Sequence, residues 1–152
     1  MDFAKLAGLT TMKNYESSEI IRLIERFEAG RLPKSDWTHE AHLVVAIWYC
    51  SRYDLNEAFQ KVKTLIISHN ESVGTPNTDT EGYHETITRF WLIVACAFIE
   101  ENVSLNIEEC CNAFINSAHS QSKHPTTFYS EDRLFSTEAR RIWMEPDLKA
   151  IV

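Results

Sequence analysis

Trp37-Thr38-His39-Glu40-Ala41-His42-Leu43-Val44-Val45-Ala46-Ile47-Trp48-Tyr49-Cys50 is the stretch that decides the fold. Ser35, Asp36 or Thr38 supplies a helix cap, and the run from Leu43 to Cys50 is apolar on every side. A helix with no polar stripe belongs in the centre of a domain, enclosed by its neighbours. The expectation is a central helix reaching about Ser51.

The flanking sequence supplies those neighbours. Ahead of it, Ser17 or Ser18 caps a helix over 18–29 whose Ile20, Ile24 and Phe27 recur at helical spacing, and Gly30 ends it. Behind it, Asp54 and Glu57 have the form of a capping box. Leu55, Phe59, Val62 and Ile66 then trace an amphipathic stripe as far as His69. Residues 70–82 carry Gly74, Pro76, Asn77 and Asp79 and read as a loop. From Tyr83, the positions His84, Ile87, Trp91, Val94 and Phe98 define a helix to about Glu101, with His84 on its inward stripe. Asn106 and Glu109 offer another capping box before Ile107, Cys110, Cys111, Phe114, Ile115 and Ala118.

Residues 119–130 read as a loop that returns Phe128 and Tyr129 to the body. Two short helices follow, capped by Ser130 and Ser136, and Glu145-Pro146-Asp147 forms a stop. No segment shows sustained strand alternation. The expected fold is all-α: a single-domain helical bundle of about five main helices plus short carboxy-terminal helices. Residues 1–16 are an extension and 17–148 the core.

Composition narrows the function classes. At 152 residues the chain has the size of one domain. Acidic residues outnumber basic ones by 22 to 15, giving a net charge of −7, and the cations are scattered, so nucleic acid is not expected as a partner. No apolar run reaches the roughly 18 residues of a membrane helix. Met1-Asp2-Phe3-Ala4-Lys5 lacks the pattern of a signal peptide, and the expected location is cytoplasmic. Cys50, Cys96, Cys110 and Cys111 form neither a CxxC motif nor zinc-finger spacing and read as reduced, mostly buried thiols.

Histidines carry the chemistry. His39 and His42, three apart, fall on one helical face, and His84 lies on the inward stripe of another helix. Imidazoles on facing helices suit a divalent transition metal, iron or zinc, and three protein ligands leave a position open for substrate. Glu85 is the candidate fourth ligand or base, with pairing to Arg89 as its alternative. Tyr83, Thr88 and Arg89 are candidates to orient a small polar substrate, and Tyr129 with Arg133 to cover it. His69 is a reserve ligand or proton carrier, and His119 and His124 receive no role. The plain alternative makes His39 and His42 hydrogen-bonded boundary residues and His84 a satisfied core histidine.

The combination Trp37-Thr38-His39-Glu40-Ala41-His42, Asn77-Thr78, Gly82-Tyr83-His84-Glu85-Thr86-Ile87-Thr88, Phe128-Tyr129-Ser130 and Trp143-Met144-Glu145-Pro146-Asp147-Leu148 resembles a family of small bacterial all-helical proteins with no assigned function. The likeness spans residues 35–148. It implies a bacterial cytoplasmic protein and names no reaction. Two functional expectations follow: a metal-dependent enzyme acting on a small polar molecule, or a non-catalytic module. The module would be either a small-molecule sensor or a partner-binding unit, with Trp143 anchoring a homodimer.

Overall fold

The computed structural model describes residues 14–152, so the amino-terminal pentapeptide and most of the expected extension lie outside the described residues. Seven α-helices are present among them: α1 (Ser17–Glu28), α2 (His39–Cys50), α3 (Leu55–Ser72), α4 (Glu85–Glu101), α5 (Ile107–Ile115), α6 (Glu131–Leu134) and α7 (Thr137–Arg141). No strand occurs among the described residues. The all-α expectation holds, five long helices and two short ones.

The central helix is α2. Ala41, Leu43, Val44, Val45, Ala46, Ile47 and Tyr49 are all buried, with Val44 and Ile47 wholly inaccessible. At about 1.5–3 kcal/mol per fully buried aliphatic side chain, this enclosure is a principal source of stability. Its neighbours are α4, α5 and α3, in order of decreasing contact. The remaining core is filled by Ile20 and Phe27 of α1, Phe90 and Leu92 of α4, and Phe114 of α5. No described helix is long and apolar enough to cross a membrane.

Capping explains most boundaries. The Thr38 hydroxyl accepts the Ala41 amide at 3.2 Å and starts α2. The Asp54 carboxylate accepts from Glu57 at 2.9 Å, and Asn106 and Glu109 complete a reciprocal box before α5. α1 departs from expectation at its start: the cap is Glu16, boxed with Glu19. Neither expected cap, Ser17 or Ser18, serves; Ser17 instead donates to the Glu108 carboxylate through its amide at 2.7 Å and its hydroxyl at 2.5 Å. That carboxylate can hold two donors at once, which ties α1 to α5. Ser130 and Ser136 cap α6 and α7 as expected.

The loop 73–84 positions the start of α4 and corrects its expected boundary. Asn77 organises it: Oδ1 accepts from Asn70 at 2.9 Å and from the Tyr83 amide at 3.0 Å. Gly82 has φ +79°, and a Cβ there would stand 2.3 Å from the Pro76 carbonyl oxygen. The chain therefore stays extended through His84, and the helix begins at Glu85 rather than Tyr83. Gly74 shares the left-handed geometry, φ +77°, with nothing within 4 Å of its would-be Cβ. Gly82→Ala should therefore destabilise by at least about 2–3 kcal/mol, and Gly74→Ala by only about 1 kcal/mol, as read from urea unfolding midpoints. Equal costs would contradict the role given to the Pro76 contact.

Candidate functional site

The start of α2, the second half of α3 and the start of α4 do not close completely on one another. One cavity of ≈ 370 Å³ is lined by His39, His42, Val62, Ile87, Thr88 and Trp91, among others. A second of ≈ 370 Å³ is lined by Trp37, His42, Asn70, Tyr83, His84 and Thr88. His42, Ile66, Ile87 and Thr88 line both, so the two are compartments of one cleft. The size suits a small molecule, and the walls are mostly apolar. A wider groove of ≈ 730 Å³ lies elsewhere, against Trp48 and Tyr53. Its cations rest on its own rings, Arg52 at 3.4 Å from the Trp48 centroid and Lys61 at 4.8 Å from that of Tyr53.

His42 stands where the compartments meet. Its Nδ1 is 2.7 Å from the Thr38 carbonyl oxygen, which can only accept, so Nδ1 carries the proton and Nε2, outside this bond, is a bare acceptor. The ring stacks on Trp37 at 3.7 Å between centroids, and Trp37 stacks in turn on Phe27 at 4.5 Å. Burial lowers the His42 pKa to about 4, the hydrogen bond to Thr38 opposing and the nearby His39 and His69 reinforcing. At neutral pH the imidazole is uncharged.

His39 is held similarly. Its Nε2 lies 2.5 Å from the Ser120 carbonyl oxygen, which ties down the segment that contributes Ser122 to the lining. In its neutral form it too presents a bare nitrogen, Nδ1.

His84 differs from the pair. It is the N-cap of α4, with its Nδ1 accepting the Ile87 amide at 3.1 Å and its Nε2 donating to the Leu134 carbonyl at 2.9 Å. Both ring nitrogens are spent. Burial lowers its pKa to about 4, with Arg140 reinforcing and the Leu134 bond opposing. Sequence places His84 on a helical stripe; the structure places it one residue before the helix, as a cap. Among the described residues no group of three His, Cys, Asp or Glu side chains is arranged to hold a metal ion. His84, with both nitrogens bonded to the backbone, does not fit the role of third ligand.

The other candidates divide. Tyr83 and Thr88 line the cleft. The buried Tyr83 hydroxyl sits beside the Thr88 side chain without a well-formed hydrogen bond, and its pKa is raised by burial, with Glu85 adding. Glu85 does not line the cleft but pairs with Lys63, Nζ to Oε2 at 2.8 Å. That partner replaces the expected Arg89. The Arg89 guanidinium is instead stacked between Phe59, at 5.2 Å, and Trp143, at 5.5 Å.

Tyr129, wholly buried, donates to the Met144 carbonyl at 2.7 Å, and Arg133 Nε donates to that of Glu145 at 2.7 Å. Neither lines the cleft; both hold the carboxy-terminal segment. Thr86 does the same, donating to the Ile142 carbonyl at 2.8 Å and accepting the Met144 amide at 3.1 Å. The reserve histidine, His69, is buried and outside the cleft lining: its Nε2 donates to the Leu32 carbonyl at 2.9 Å, and its buried Nδ1 has no hydrogen-bond partner.

Trp37 and Trp91 are the aromatic members of the larger set of cleft residues to which sequence reading assigns no role at the site. Trp91 falls three residues after Thr88 and so shares its helical face, which is the signal that was there to find. The result is an all-helical domain with a histidine-lined apolar cleft. No family model, curated protein or solved structure matches the chain.

Two predictions follow from these bonds. His42 and His84 titrate near 6.5 when unfolded and near 4 when folded, so the unfolded chain gains protons first. Their stabilising effect is complete above pH 6.5 and is lost toward pH 4, at most about 3 kcal/mol each. His84→Asn keeps a capping acceptor but does not titrate, so its urea midpoint should fall less steeply between about pH 7 and pH 4.5. Identical slopes would count against the buried neutral imidazole. Separately, Lys63→Met leaves the Glu85 carboxylate, 11% exposed, without its partner. It should cost roughly 1–3 kcal/mol, most of it regained in Lys63→Met with Glu85→Gln. A double variant no more stable than the single would show that the pair does not carry the effect.

Proposed function

We propose that this protein binds a small, uncharged, largely planar molecule in the cleft between α2, α3 and α4, as a binding or sensing domain. The observation that carries the reading is the fixed tautomer of His42: Nδ1 committed to the Thr38 carbonyl, Nε2 left as an acceptor where a mostly apolar compartment meets a more polar one. An acceptor in an apolar cleft favours a ligand that brings a donor, because a ligand without one buries that lone pair unpaired. The neutral ring gives no attraction to anions, and Lys34, the one cation of the lining, is a solvent-exposed residue. The Thr88 hydroxyl adds a second polar contact, Trp91 supplies a flat apolar wall, and Ile87 adds further apolar surface. A base with its pKa lowered to about 4 is weakly basic, so recognition fits His42 better than proton abstraction does.

The reading as a metal-dependent enzyme rests on His84 offering a nitrogen, and both of its nitrogens already hold backbone groups. The dimer reading rests on Trp143, whose ring is partly buried against its own chain and whose indole donates to Glu145 at 2.9 Å.

Indole tests the proposal as a neutral planar donor, with toluene as the matched ligand lacking one. Amide chemical shifts should move saturably at His42, Thr88 and Trp91, more tightly for indole than for toluene. His42→Leu should remove that preference, roughly tenfold in affinity for a lost hydrogen bond of about 1–1.5 kcal/mol. Shifts scattered over the surface, or no indole preference in the parent protein, would sink the reading.

A further inference from the structure

Cys50 ends α2 and Cys96 lies in α4, the two helices in most extensive contact among those described. The Cys50 Sγ is 3.5 Å from the Leu92 carbonyl oxygen. In an α-helix that carbonyl accepts the amide four residues on, which is that of Cys96. The Cys50 thiol therefore lies against the turn of α4 that carries Cys96. Both cysteines are half-buried, within reach of small reagents, whereas Cys110 and Cys111 are buried. One helical turn before each lies a cleft residue: Ala46 precedes Cys50 and Leu92 precedes Cys96.

We propose that Cys50 and Cys96 form a redox pair that closes reversibly into a disulfide joining α2 to α4, one helical turn from the cleft. The pairing stands whether or not the cleft takes a small molecule. Its chemistry is asymmetric. Interaction with the neighbouring Cys50 thiol lowers the Cys96 pKa, against the opposing effects of burial, Glu100 and Asp54. The same interaction, with burial, raises that of Cys50. Cys96 is therefore the attacking sulfur.

With a low-molecular-weight disulfide RSSR as oxidant, the Cys96 thiolate attacks one sulfur, the S–S bond breaks, and RS⁻ leaves. Cys50 then gives up its proton, to solvent or to the departed RS⁻, and attacks the Cys96 sulfur of the mixed disulfide, expelling the second RS⁻. Two cysteine thiols are oxidised to one disulfide, and RSSR is reduced to two thiols. The cross-link would fix the separation of two cleft walls.

The test equilibrates the full chain with graded ratios of oxidised to reduced glutathione, quenches in acid, and alkylates in denaturant for intact mass and peptide mapping. The expected result is a fall from four alkylatable thiols to two. The peptides carrying residues 50 and 96 should be joined, and excess reduced glutathione should separate them. Cys50→Ser should halt at a stable mixed disulfide on Cys96. Four free thiols after oxidation, a mixed disulfide that persists in the parent protein, or a linkage through Cys110 or Cys111 would each overturn the proposal. The parent protein alone decides these outcomes, whatever the folding of the serine variant.

Discussion

The structure depends on the enclosure of α2. A helix with no polar face loses free energy wherever one side meets water, so α3, α4 and α5 must surround it and α1 must cover what they leave open. Enclosure fails by necessity at the amino-terminal end, where free backbone amides need a cap and the chain must turn outward. Polar residues gather there, Thr38 as cap and then His39, Glu40 and His42 on the first turn, while near the other end Tyr49 places its hydroxyl on the Glu28 carboxylate. The cleft opens at the same place, because three helices packed around a fourth diverge where its apolar surface stops. Position and chemistry of the site follow from one constraint.

Much of this was legible in the sequence, for a physical reason: periodicity and caps are local. The apolar stripes of α1, α3 and α5, the all-round apolarity of α2 and the caps at Thr38, Asp54, Asn106, Ser130 and Ser136 are settled within a few residues. The start of α4 was not. A histidine three residues before Ile87 suits a helical stripe and a cap equally well, and the choice is made by Gly82, whose left-handed backbone holds the next residues extended. His39 and His42 could be seen to share a face. Their tautomers could not, since that of His39 depends on the Ser120 carbonyl, 81 residues away.

The carboxy-terminal segment shows why polar and aromatic side chains clustered in a sequence need not mark chemistry. Beyond α7 the chain has no regular structure, yet its backbone groups pack against the core and need partners. Tyr129 and Arg133 serve carbonyls of residues 144 and 145, and Thr86 serves backbone groups at 142 and 144. Ser130 donates twice to the Asp147 carboxylate, from its amide and its hydroxyl. Backbone carbonyls carry no sequence signature, so such residues read equally well as ligands for something absent. Arg140 adds the last strap, donating to the Gly82 carbonyl at 2.9 Å and thereby supporting the turn that places His84.

What distinguishes the histidines is the use of their second nitrogen. Where the partner of one nitrogen is a carbonyl and the other is unclaimed, as in His42, burial yields a neutral ring with a directed lone pair. Where both are claimed, as in His84, burial yields only structure. Desolvation lowers both pKa values to about 4, so the pKa alone cannot separate a recognition group from a cap; the hydrogen-bond inventory separates His42 from His84, and the cleft lining separates His42 from His69, whose buried Nδ1 is also unclaimed. An acceptor held by a backbone carbonyl and an aromatic stack needs little reorganisation when a donor arrives. The selectivity of such a cleft therefore depends on how rigidly α2 is seated against α4, the contact that also brings Cys50 to the turn of α4 carrying Cys96.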